Sequence, residues 1–176
     1  MARQIGDPAH IATGLLYVGA TVVATDPEQA RAYLSESLEL STALGYQGAI
    51  DLVSATGLAF LLNDRTATLK LGRSAIPAVQ RGSDRLLMGI TLQMIAGTLA
   101  ATQPEAAAII QGAAEAYVAE SPTIAPISLI VTEALGEERA RELRARGADM
   151  DWGQAVAYTL AQTTQALNEL QSGTQP

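Results

Sequence analysis

The chain predicts an all-α fold, a solenoid of helical hairpins, and three observations carry that expectation. Hydrophobic residues make up 48% of the 176 residues but aromatic residues only 4%. Val, Ile and Thr do not cluster in alternating runs, so the core is expected from helices packed through small side chains rather than from pleated strands. A two-helix unit recurs: breaks at Gly6, Gly45 and Gly82 lie 39 and 37 residues apart, and Glu120-Ser121-Pro122 follows at a similar distance. Periods of about 34 to 45 residues mark two-helix repeats. Each unit also carries a turn at its middle, Thr25-Asp26-Pro27-Glu28, Asn63-Asp64-Arg65-Thr66 and Thr102-Gln103-Pro104-Glu105. Asp or Asn caps a helix start there, and Pro is preorganised for the first helical position. The length suits one domain spanning residues 1–176, enough to bury about 70% of its unfolded surface.

Taken in order, residues 2–5 read as the last turn of a helix beginning before Met1. The run Arg3-Gln4-Ile5-Gly6-Asp7 matches the Gly-stopped ends Ala43-Leu44-Gly45 and Gln80-Arg81-Gly82, so the chain is expected to be a piece of a longer one. Repeats span about 6–44, 45–81 and 82–121. Their first helices carry the stripes Ile11, Gly14, Val18, Val22; Ile50, Val53, Gly57, Leu61; and Leu87, Ile90, Met94, Thr98. Their second helices carry Tyr33, Ser37, Ser41; Leu71, Ala75, Val79; and Ile110, Ala114, Val118. Steps of 3 and 4 keep each set on one helical face. Pro77 is expected to end or kink its helix. Residues 123–126 read as a loop closing the array.

A capping helical pair is expected over 126–171. Within it, 127–135 is a short helix ended or jogged at Gly136. Residues 137–146 form a polar helix with Glu137–Arg141 and Glu142–Arg146 pairs, stopped by Gly147. The last helix is capped by Asp151 with Gln154 in the reciprocal position, and runs through Val156, Leu160, Thr163, Leu167 and Leu170. Trp152 is expected to pack on the preceding helix, and 171–176 to be disordered.

The tail motif Ala-Leu-Gly-Glu-Glu-Arg (134–139), followed by Gly-Ala-Asp-Met-Asp-Trp-Gly-Gln-Ala-Val-Ala-Tyr (147–158), resembles the closing motif of a family of large bacterial regulators. Gln-Gly-Ala-Ala-Glu-Ala (111–116) and Ile-Gly-Asp-Pro (5–8) resemble its recurrent segments. The family is the tetratricopeptide-like region of LuxR-type and antibiotic-regulatory ATPases, including actinobacterial cyclase fusions. Met150, Asp151 and Trp152 depart from the Leu-Ser-Leu usual there, and Ala140 stands in place of a Phe. The resemblance covers nearly the whole chain. It implies a tetratricopeptide-like solenoid of about three hairpins, with any catalysis or DNA reading located outside these residues. No G-x-x-x-x-G-K-[ST] phosphate cradle occurs in the sequence.

The net charge of −7 opposes direct nucleic-acid binding, which needs phosphates neutralised. Arg65, Lys70, Arg73, Arg81 and Arg85 nonetheless fall close together; they read first as a solvated face and second as a patch for an acidic partner. No apolar run of about 18 residues predicts a membrane span. The chain lacks Cys, which fits the cytoplasm and removes disulfides and thiolate metal sites. No catalytic, cofactor-binding or metal-ligating constellation is predicted. His10 is the sole His and has no second ligand or nucleophile in sequence beside it. Carboxylates such as Glu36 and Glu39 lie on solvated faces.

The candidate site is a groove along the first helices, lined by His10, Thr13, Tyr17, Thr56 and Gln93. It would take a protein partner, a peptide or a small effector by hydrogen bonding. The expected role is a non-enzymatic sensory or protein-interaction arm of a bacterial transcriptional or signalling regulator. The alternative is a stand-alone adaptor or scaffold that dimerises through its repeat edge.

Overall fold

A computed structural model describes residues 7–45, 48–118 and 124–172, with only the backbone for 124–126. Among these residues the chain is all-helical. The elements are α1 (Pro8–Val22), α2 (Pro27–Ala43), α3 (Ala49–Leu61), α4 (Arg65–Gly82), α5 (Arg85–Leu99), α6 (Pro104–Glu115), α7 (Ile124–Leu135), α8 (Glu137–Ala148) and α9 (Trp152–Ser172). Consecutive helices pack as the pairs α1/α2, α3/α4 and α5/α6. The first members touch one another in a row, α1 on α3, α3 on α5, and α5 on α7. Helix α9 lies across α4, α5 and α6.

Local chemistry sets several of the helix starts. Asp7, Asp26, Asp64 and Asp84 each accept a hydrogen bond from an N–H of the helix they precede, satisfying one of the donors that a helix start leaves open. Asp151 and Gln154 form the full reciprocal box: the Gln154 N–H donates to Asp151 Oδ1 at 2.8 Å and the Asp151 N–H to Gln154 Oε1 at 3.1 Å. Gly45 follows α2 in the left-handed region, with φ +63°.

The ends of other helices differ. After α4 the left-handed residue is Ser83, φ 53°, and Gly82 is the last helical residue. Helix α8 runs past Gly147 to Ala148, because Gly147 is buried against α6 rather than ending the helix. The backbone of 124–126 is already helical, not a loop; Pro126 falls in the first turn, where no intrahelical N–H bond is lost. The C-terminal part holds three helices rather than a pair, since Gly136 (φ 80°) separates α7 from α8. Helix α9 extends through Gln171 and Ser172. The expectations for residues 2–5 and 173–176 fall outside the described residues.

Pro77 does not end α4, which continues to Gly82 with Pro77 exposed. The helix is held over its length by Leu69, Ala75, Ile76 and Val79, all at 0% exposure, so burial outweighs one lost backbone bond. Replacing Pro77 by Ala should restore that bond and raise stability by roughly 1–3 kcal/mol, read by urea denaturation. Unchanged or lower stability would mean that the helix is already relaxed around the ring.

Burial selects different stripes from those expected in the first helices. In α1 the buried residues are Ala12, Leu15, Leu16 and Gly19, while Val18 is exposed; in α3, Ile50 and Leu61 are exposed and Leu52, Ala55, Leu58 and Ala59 are buried. These helices are apolar on most faces, so periodicity did not single out one. The second helices follow their expected stripes more closely, with Ser37, Ser41, Ala75, Val79, Ile110 and Ala114 buried. One core joins Leu16, Ala30, Leu34, Ala55, Leu58, Ala59 and Leu62 between the first hairpin and α3. A larger core runs from α3 through α9, centred on residues such as Leu69, Leu92, Ile95 and Ile110.

Trp152 meets Tyr117, just past α6, edge-on with ring centroids 5.2 Å apart, and packs on the larger core, to which α8 contributes Ala140 and Leu143. The Arg85 guanidinium sits 5.1 Å over the other ring, that of Tyr117. The stack ties together the starts of α5 and α9 and the end of α6, a favourable arrangement of cation and quadrupoles. On α8, Glu142 pairs with Arg139 at 2.8 Å rather than with Arg146, and Arg139 also reaches Glu105 of α6 at 3.0 Å. These bonds hold the Arg139 guanidinium above its ordinary pKa.

Candidate functional site

The row of first helices brings the starts of α1 and α3 side by side. Between them lies an open groove of about 660 Å³ lined by Ala9, His10, Thr13, Gly48, Ala49, Ile50 and Asp51. The Thr13 hydroxyl donates to Asp51 Oδ1 at 2.6 Å, with the Ala9 carbonyl also within reach at 3.1 Å. That bond bridges 38 positions of sequence and fixes the two helix starts relative to each other.

At the rim, His10 Nδ1 lies 2.8 Å from Asp7 Oδ2. The ionised carboxylate can only accept, so Nδ1 is the donor of this bond and the other ring nitrogen, Nε2, is left for a second polar contact. The bond from His10, reinforced by the Ala9 N–H, holds the Asp7 carboxyl below its usual pKa. Gly48, at the cap of α3, has no side chain to close the first-turn N–H groups. Ile50 adds an apolar surface, 56% exposed.

The five expected site residues divide. His10 and Thr13 line the groove. Tyr17, 58% exposed, lies four residues past Thr13 on the same helical face. Thr56 and Gln93 do not join them: they are 0% and 2% exposed. The Thr56 hydroxyl donates to the Leu52 carbonyl of its own helix at 2.6 Å, and Gln93 Nε2 is buried without a partner. Tyr17, Thr56 and Gln93 stand at one register of three repeats, yet α3 and α5 have first-helix neighbours on both sides, whereas α1 touches only α3 in that row among the described residues. Neighbours, not register, decide burial. Asp51 escaped the sequence reading because its partner across the groove, Thr13, is 38 positions away, and Ile50 because its stripe was expected to be buried, whereas it is exposed.

The groove offers a carboxylate at Asp51, an imidazole at His10, the start of α3 with no side-chain cap from Gly48, and an apolar contact at Ile50. It can hold a short polar segment with an apolar side chain. Nucleophilic catalysis would need a hydroxyl bonded to the imidazole; the Thr13 hydroxyl is engaged by Asp51 instead. Among the described residues no three His, Asp or Glu side chains are grouped to hold a metal ion, and no helix is long and apolar enough to cross a membrane. The chain matches no protein-family model, no curated protein and no solved structure.

Proposed function

We propose that this chain is a non-enzymatic interaction or effector-sensing domain, a tetratricopeptide-like solenoid that serves a bacterial transcriptional or signalling regulator in the cytoplasm. The observation that carries the reading is the open groove at the starts of α1 and α3, where the Asp51 carboxylate, the His10 imidazole, the start of α3 with no side-chain cap and exposed Ile50 converge. Paired helices with their first members in a row agree with a hairpin solenoid, and such arrays present ligands to their first helices. The regulator assignment rests on the tail motif of residues 134–158, and fold analogy alone does not set function.

Selection of a random peptide library on the immobilised chain tests the reading. Selected peptides should lose at least about tenfold in affinity on Ile50→Asp and on Tyr17→Ala, a loss of about 1.4 kcal/mol. Both positions are exposed, so the thermal midpoint should move by no more than about 2–4 °C. Peptides that bind wild type and both variants equally would refute the groove as the recognition surface.

A further inference from the structure

A second cavity, of about 200 Å³, lies on another part of the molecule, between the α3–α4 turn and α5. It is lined by Phe60, Asn63, Arg65, Thr68, Gly97 and Thr98. Ligand pockets for drug-sized molecules run to about 300–1,000 Å³, so this one suits a few heavy atoms. Its charge comes from Arg65. That guanidinium bonds the Thr102 hydroxyl through one terminal nitrogen, while its Nε–H is buried with no acceptor.

Among the described residues several cations, Arg73, Arg81 and Arg85 included, lack a carboxylate partner, but Arg65 is the arginine with a buried N–H that has no acceptor. Elsewhere, Arg31 reaches Glu28 and Asp64, and Arg139 reaches Glu105 and Glu142. Among the described residues Arg65 has no carboxylate within 4.0 Å. Two carboxylates that could have served are engaged. Asp64 caps α4 through the Ala67 N–H. Glu169 feels the Arg65 charge, but its oxygens are held by Gln165 and Gln103 at 2.9 and 2.8 Å. A buried donor left without an acceptor is costly, and an arginine edge is shaped for two parallel bonds to a carboxylate.

We propose that this cavity binds a small monocarboxylate with a short apolar tail, its oxygens on Arg65 and its tail on Phe60. The lining argues for a carboxylate over a phosphate. Phosphate needs donors around several oxygens, yet the hydroxyls of Thr68 and Thr98 donate their protons to the Asp64 and Met94 carbonyls. That leaves Arg65 and the exposed Asn63 amide as donors. The opposite wall is the half-buried Phe60 ring beside Gly97, where an added Cβ would stand 2.8 Å from the ring. An apolar tail finds contact there, and an inorganic oxyanion does not.

The experiment is an amide chemical-shift titration of the full chain with sodium butyrate, 1-butanol and sodium phosphate at equal ionic strength. Butyrate should give saturable shifts at Asn63, Thr68, Gly97 and Thr98, with Kd on the order of 1–10 mM. Butanol and phosphate should each bind at least about tenfold more weakly. Arg65→Gln should weaken butyrate at least about tenfold, and Arg65→Lys, which keeps the charge but loses the fork, should fall between. The amide spectrum of each variant away from the pocket should overlay that of the wild type. Shifts that do not saturate, equal binding by well-folded Arg65→Gln, butanol as tight as butyrate, or phosphate tighter than butyrate would each overturn the proposal.

Discussion

Gly147→Ala and Gly112→Ala should each destabilise the fold by about 3 kcal/mol or more. A Cβ on Gly147 would stand 1.9 Å from the Ile109 carbonyl oxygen and 2.9 Å from the Ala113 nitrogen; one on Gly112 would stand 1.9 Å from the Arg144 carbonyl oxygen. Both clashes are with main chain, which cannot rotate aside as a side chain does. The two helices α6 and α8 touch backbone to backbone at this crossing, and a methyl group on either side must push them apart. All of residues 106–114 on α6 are buried, so the separation would open the larger core along its length. In thermal unfolding the midpoint should fall by about 10 °C. Gly57→Ala is the control. It lies inside α3 with only the Met94 sulfur 3.5 Å from the added carbon, and should gain about 0.5–1 kcal/mol from helix propensity. If Gly147→Ala melts with wild type, α6 and α8 do not cross as closely as described.

Ile95→Ala should cost about 3–5 kcal/mol, and Ile95→Val about 1 kcal/mol. Ile95 is fully buried on α5 in the larger core, and its Cγ1 would lie 3.0 Å from a carbon added at Gly72 of α4. The side chain fills the space that Gly72 leaves, so shortening it removes contacts that the fixed helices cannot recover. This geometry adds a coupling: Gly72→Ala, which meets Ile95 Cγ1 and Cδ1 at 3.0 and 3.1 Å, should be less harmful in the Ile95→Val background, where Cδ1 is gone. A double-mutant cycle by urea denaturation measures it. Strict additivity would show that Ile95 can already move aside at no cost.

The sequence carried the Asp-capped helix starts. An Asp before a helical run, or Asp151 with Gln154 three residues on, states its own hydrogen bonds, because donor and acceptor lie within one turn. The all-helical class was legible as well, from apolar periodicity and the lack of alternating runs. Half of the groove was legible too: His10 and Thr13 lie on one face of one helix, and spacing suffices to place them together.

Tertiary structure decided what spacing leaves open. Which face of α1 or α3 is buried depended on which neighbour lies alongside, since their apolar residues run around the helix. Tyr17, Thr56 and Gln93 share a register, yet only Tyr17 is exposed. Gly147 read as a stop because Gly ends helices locally; it is instead a contact point, since the Ile109 carbonyl arrives from 38 positions earlier in the chain. Arg65 read as part of a basic run, and only packing left its guanidinium beside a cavity with no counter-ion. Bonds closed within a turn are written in the sequence; approaches between helices are set by the summed packing of the whole chain.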